Sequence, residues 1–200
     1  MTALRILAEA AWPDPEARGP EQLPPLPGFS ASTFNPLVAE TAERCLRAHY
    51  GTAPAPGRTA LLLASASGDL ATARAIEEAA AGTARRMPPL LFFQSNPNAV
   101  LGHIAARWGL TGPVVAICPS QPPPPGRVPQ DALDLAELLL ADGDADQVLV
   151  IAAEQADQAA QTEQAAPTEQ TDEDTDATGS SDSTGPESTD RAVALLVTAA

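Results

Sequence analysis

Lysine is missing from this 200-residue chain, and all 11 basic residues are arginine. Such usage points to a high-GC coding sequence, as in an actinobacterium, and carries no mechanism. A surplus of base is missing as well: the formal charge of −15 argues against a nucleic-acid partner, because phosphate binding needs clustered Lys and Arg. Cysteine is nearly absent. Cys45 and Cys118 have neither the number nor the spacing of a disulfide framework or a zinc site, and a reducing cytoplasm suits them. No apolar run approaches the roughly 20 residues that span a bilayer. The opening MTALRILAEAAWPDPE has too short an apolar stretch, and the wrong flanks, for a secretory signal. A cytoplasmic protein with no membrane partner is expected.

What is present is one core's worth of chain, too short for two large domains. Its acidity is uneven. Residues 155–190 hold ten of the 26 acidic residues and no basic one. That stretch, QADQAAQTEQAAPTEQTDEDTDATGSSDSTGPESTD, offers almost nothing to bury, and low hydrophobicity with high negative charge predicts disorder. RAVALLVTAA follows it as a clear strand. The segment therefore reads as a disordered acidic insert, a long loop between two adjacent strands of a domain made from residues 1–154 and 191–200.

Strands and helices alternate along the rest. LRILAEAAW reads as a first strand, closed by the proline-rich stretch 13–27. In PLVAETAERCLRAHYG, residues Leu37, Val38, Thr41, Cys45, Leu46 and His49 recur at helical spacing, with Gly51 as the stop; Cys45 and His49 are expected on the inner face. RTALLLASASG is a short apolar run suited to a strand buried on both faces. Asp69 caps the helix DLATARAIEEAAAG, which Gly82 can end. Residues 84–94 read as a connecting loop containing PPLLFF. Asn96 or Asn98 caps NAVLGHIAARWG, whose Val100, Ile104 and Trp108 share a face, and GPVVAI is a further buried strand. After four consecutive prolines, Gln130 to Leu140 reads as an amphipathic helix and DQVLVIAA as another buried strand. The alternation predicts an α/β fold with a largely parallel central sheet.

The series RTALLLASASGDLATA, PLLFFQSNPNAVLGHIAARWGLTGPVVAI, DALDLAELLLADGDADQVLVIAAE and RAVALLVTAA resembles the N-terminal half of the β-ketoacyl synthases, condensing enzymes of the thiolase-like superfamily. The specific part is NPNAVLGHIAARWGLTGP, and the likeness covers roughly residues 57–154 and 191–200. The resemblance implies a thiolase-like half, a mixed five-stranded sheet covered by helices. In that family the catalytic cysteine falls about nine residues after the Gly of the Gly-Pro pair, which lands on Gln121. The thiolate sits at a helix N-terminus, where the dipole and the free amides favour charge. Here PPPPGRVPQ follows instead, and four prolines in a row impose extended polyproline geometry. The family's catalytic histidines belong to its C-terminal half, and neither His49 nor His103 matches them. Glutamine at the nucleophile position also resembles the chain-length factors, the inactive partners of type II polyketide synthases.

Other candidates have plain readings. Cys118 ends the VVAI strand near the family's catalytic region and is the one weak catalytic candidate; no base is in view to activate it, and a small buried hydrophobe accounts for it. His103 fits an edge or interface histidine. Cys45 and His49, four apart, could pair on a metal, but no further ligands accompany them. ASASG before Asp69 could suggest a phosphate loop, yet it lacks a Lys and places a carboxylate where the anion would sit. The resemblance thus implies a non-catalytic accessory or structural subunit of fatty acid or polyketide type biosynthesis. Its partner would be a second copy or a β-ketoacyl synthase, with an acyl carrier protein as a further candidate; no cofactor and no metal are expected. The alternative is an acyltransferase or condensing enzyme that uses Cys118 together with residues of a partner chain.

Overall fold

The computed structural model describes residues 3–81, 89–120, 124, 126–156 and 189–200. Gly82, Gln121 and most of the acidic insert lie outside the described residues. Five strands, β1 (Leu4–Trp12), β2 (Thr59–Ala64), β3 (Val114–Ile117), β4 (Gln147–Glu154) and β5 (Arg191–Ala199), form one sheet in the order β1-β5-β4-β2-β3. β4, β2 and β3 run parallel, while β5 is antiparallel to both its neighbours. The helices are α1 (Phe34–Tyr50), α2 (Leu70–Ala81), α3 (Pro89–Gln94), α4 (Pro97–Trp108) and α5 (Gln130–Ala141). Among the described residues no helix is long and apolar enough to cross a membrane.

The uninterrupted apolar runs become strands covered on both faces, because successive side chains alternate between two cores. Leu61, Leu63, Leu149, Ile151, Ala194 and Leu196 point to the face covered by α1 and α4. Ala60, Leu62, Ala64, Val148, Val150 and Val197 point to the opposite face, against Ala132, Ala136 and Leu139 of α5. β3 departs from the expected buried strand. It pairs only with β2, at the sheet edge, with Val114 exposed and the other three residues half-buried. An apolar run has the same sequence signature whether or not a second strand covers its far side.

α1 buries two rows, Leu37–Thr41–Cys45 and Val38–Ala42–Leu46, on the sheet. His49, expected on this face, is exposed instead, because Arg47, Ala48 and His49 of the last turn all face solvent. α4 starts with Asn96, whose side chain accepts the N–H of Asn98 at 2.9 Å, and with Pro97 in the first turn; it ends at left-handed Gly109. Its Val100, Ile104 and Trp108 are buried as expected. The loop expected over 84–94 is, in its described part, the short helix α3, which Gln94 ties down by accepting from the Ala31 N–H and donating to the Gly28 carbonyl. That leaves Leu90, Phe92 and Phe93 outside. β4 and β5 are adjacent, as expected, and the two ends of the acidic segment meet where the Ala156 N–H donates to Asp190 Oδ1 at 2.9 Å.

Candidate functional site

Open parallel sheets bind ligands beyond the carboxyl ends of their strands. Here those ends belong to β2, β3 and β4, and a cavity of about 220 Å³ lies there between the β2 and β3 ends, the start of α1 and the junction of α3 with α4. Cys118, one residue past β3, is on its wall and exposed, not the small buried hydrophobe expected at a strand end. No histidine is among the wall residues.

The ASASG stretch is a tight strand-to-helix turn, and its anion site is already filled from within. The Glu154 carboxylate accepts the N–H groups of Ala66 and Ser67, both at 2.8 Å. Ser65 Oγ accepts from Gly68 N–H at 2.9 Å. Asp69 caps α2 by accepting the Thr72 N–H and hydroxyl, and Gln155 Oε1 accepts the Leu70 N–H at 2.7 Å. The amides of Ala66, Ser67, Gly68 and Leu70, which would hold a phosphate in a phosphate loop, are thus already engaged.

The same substitution of carboxylate for ligand recurs at α5. Pro129 precedes the helix, and Asp131 in its first turn accepts both the N–H and the hydroxyl of Ser120. These hydrogen bonds, with one from its own N–H, hold the Asp131 carboxyl below the usual range. The next described helix after Cys118 is α5, which begins at Gln130.

The remaining candidates are not brought together. Cys45 is fully buried under β1, its thiol donating to the Ala8 carbonyl, and burial pushes it up to about 12 despite the hydrogen bond from the Leu196 backbone. His49 stands in solvent, edge-on to Tyr50, so the two make no metal pair. Among the described residues no group of three or more His, Cys, Asp and Glu side chains could hold a metal ion. His103 is half-buried, edge-on to Phe29 with 6.3 Å between ring centres, in a groove beneath Pro24, Pro25 and Pro27. Asn96 is the cap of α4, and Asn98 supplies the N–H it holds.

Three solved structures set the fold in context. One titled as the ishigamide ketosynthase/chain length factor is 20% identical, with a TM-score of 0.60 over 88% of this chain and 46% of that one. A ketosynthase (ApeO) in complex with its chain length factor (ApeC) from Xenorhabdus doucetiae is 18% identical, with a TM-score of 0.62 over all of this chain and 80% of that one. A β-ketoacyl synthase from Burkholderia phymatum gives 17% and 0.60, over all of this chain and 60% of that one. This is the β-ketoacyl synthase fold. No family model matches the sequence, and no curated protein does.

Gln121, the position that the sequence resemblance assigns to a nucleophile, lies outside the described residues, and the first described helix after it begins at Gln130. Sequence reasoning missed Glu154, Asp131, Asn35 and Gln94 as shapers of this region. The signals were faint: a Glu-Gln pair ending an apolar strand, and single amides beside apolar runs.

Proposed function

We propose that the chain is a ketosynthase-like subunit that acts by binding, as an accessory or structural component of fatty acid or polyketide type biosynthesis, and does not itself condense acyl groups. The observation that carries this is the start of α5. A condensing nucleophile draws on free amides and the dipole at a helix N-terminus; here Pro129 precedes the helix, and its first turn carries a carboxylate, Asp131, that is tied to Ser120. Partner binding is supported by exposed apolar surface: among the described residues β3 has no strand on its outer side and exposes Val114, and α3 exposes Leu90, Phe92 and Phe93. Such patches mark interaction surfaces. Two of the similar structures are ketosynthase and chain length factor assemblies by title, which favours a ketosynthase as the partner here, ahead of a second copy.

Co-expression with the ketosynthase encoded nearest to it, followed by size exclusion with light scattering, tests this. A stoichiometric complex that Val114→Glu with Phe92→Glu weakens at least about tenfold, a loss of about 1.4 kcal/mol, is expected. A monomer that ignores ketosynthases at tens of micromolar overturns it.

A second reading, acyl transfer through Cys118 with a partner's residues, is favoured by the cavity that this thiol borders. Acylation at Cys118 in the assembled complex, lost in Cys118→Ser, would establish it; an unmodified Cys118 after incubation with acyl thioester would remove it.

A further inference from the structure

The groove beside His103 lies between α1 and α4 under Pro24, Pro25 and Pro27, with a volume of about 420 Å³, a size common among small-ligand sites. Its walls can be reached. The three prolines are exposed, Ala39 and His103 are half-buried, and the fixed φ of proline keeps that side stiff. Two guanidiniums line the groove from different helices, Arg47 on α1 and Arg107 on α4. Both are held by one carboxylate. Glu43 accepts from Arg107 Nε at 2.8 Å and Nη2 at 3.1 Å and from Arg47 Nη2 at 2.5 Å, and the Trp108 indole N–H, at 2.7 Å, fixes Glu43 in turn. Two positive charges against one negative leave this cluster with one positive charge in excess. The other carboxylate of the walls, Glu40, is bonded to Arg44, which also pairs with Glu21. Arg47 Nε and Nη1 and Arg107 Nη1 have no acceptor among the described residues, and both side chains are more than half exposed. Guanidiniums oriented in this way offer forked donors that match a planar carboxylate, and little of their freedom is left to lose on binding.

We propose that this groove binds an amphipathic monocarboxylate of the arylalkanoate class. Its carboxylate meets the open N–H groups of Arg47 and Arg107, and its apolar stem lies along Ala39 under Pro24, Pro25 and Pro27. One positive charge in excess suits a single carboxylate better than a phosphate dianion. The site belongs to the isolated chain and does not rest on a ketosynthase partner.

The test uses the full chain with three probes on one stem: phenylbutyrate, the uncharged phenylbutanol and the cationic phenylbutylamine. Affinity is measured by isothermal titration, and location by NMR of the arginine Nε–H groups. Phenylbutyrate is expected to bind with a dissociation constant below about 1 mM and to shift the Nε–H resonances of Arg47 and Arg107. Phenylbutanol should bind at least about fivefold more weakly, since it cannot take both guanidinium forks, and the amine should not bind. Arg47→Gln combined with Arg107→Gln should weaken the acid at least about fivefold and leave the alcohol unchanged. Ala39→Leu, which narrows the groove and leaves the Glu43 hydrogen bonds alone, should weaken acid and alcohol alike with the circular dichroism spectrum retained. Equal affinity for acid and alcohol in the unaltered chain, or no binding of the acid at ten times the expected constant, would overturn the proposal. So would unmoved Arg47 and Arg107 resonances at saturation, or undiminished binding by a folded Ala39→Leu.

Discussion

Asp131 Oδ2 accepts both the backbone N–H and the hydroxyl of Ser120, at 2.9 and 3.0 Å. One oxygen thereby ties the exit of β3 to the first turn of α5, across a segment that carries four prolines.

A cysteine placed after β3 is not expected to act as a nucleophile. Gln121→Cys is expected to show no acylation of residue 121 above that of a free thiol when incubated with acyl thioesters and followed by intact-mass spectrometry. The helix start that would activate it lies at Gln130, and nucleophilicity depends on that placement. Stoichiometric acylation at position 121 would refute this account.

Glu43 should govern part of the acid stability. Burial opposes its ionisation, but hydrogen bonds from Arg107, Arg47 and Trp108 Nε1 outweigh that and hold it at about 2. A carboxyl lowered on folding contributes stability that is complete above the ordinary value of 4.5 and is lost as pH falls towards about 2. Because both arginines are more than half exposed, the contribution is about 1–2 kcal/mol after allowing for solvent screening. Glu43→Gln should lose that amount in urea unfolding at pH 7, and less than half of it at pH 2.5. An equal loss at both would show that the ion pairs are not responsible.

Gly112 has no room for a side chain. A Cβ there would lie 2.6 Å from Thr59 C and O and from Ala60 N, all backbone of a strand that cannot move without disturbing both cores. Gly112→Ala should destabilise by about 2–3 kcal/mol, as overpacking does, read as a lower denaturation midpoint with an unchanged slope. A midpoint within error of the parent would contradict this close approach.

The two thiols should separate cleanly. At pH 8 the native chain should release one equivalent of a thiol-reagent product from exposed Cys118, and the second, from Cys45, only on unfolding. Cys118→Ser should lack the first phase; its persistence would mean that Cys45 is accessible. Fast labelling of Cys118 follows from exposure alone, so it says nothing about catalysis.

The legible part of the sequence was the part decided locally or by burial on both faces. The rows of α1 and the runs of β2, β4 and β5 name their elements, because periodicity follows directly from how each is covered. β3 reads as buried because four apolar residues look alike at an edge and in a centre. α3 is six residues long, too short for a helical period to declare itself. Around the site, the difficulty is distance along the chain. Glu154 meets Ala66 across 88 residues and Asn35 meets Asp69 across 34, and neither pairing leaves a mark in either local stretch. The prolines after Cys118 were visible at once, but the Asp131–Ser120 clamp that accompanies them needed the fold.

Within the sheet β1 has a single neighbour, β5, which itself lies between β1 and β4. During synthesis, then, β1 emerges first of these five strands, and β2, β3, β4 and the acidic segment must follow before its mate β5 exists. β2, β3 and β4 can assemble with their helices in the meantime as a parallel core. Until then β1 waits with its whole ladder to β5 unmade, which makes it a segment in need of shelter while the chain grows.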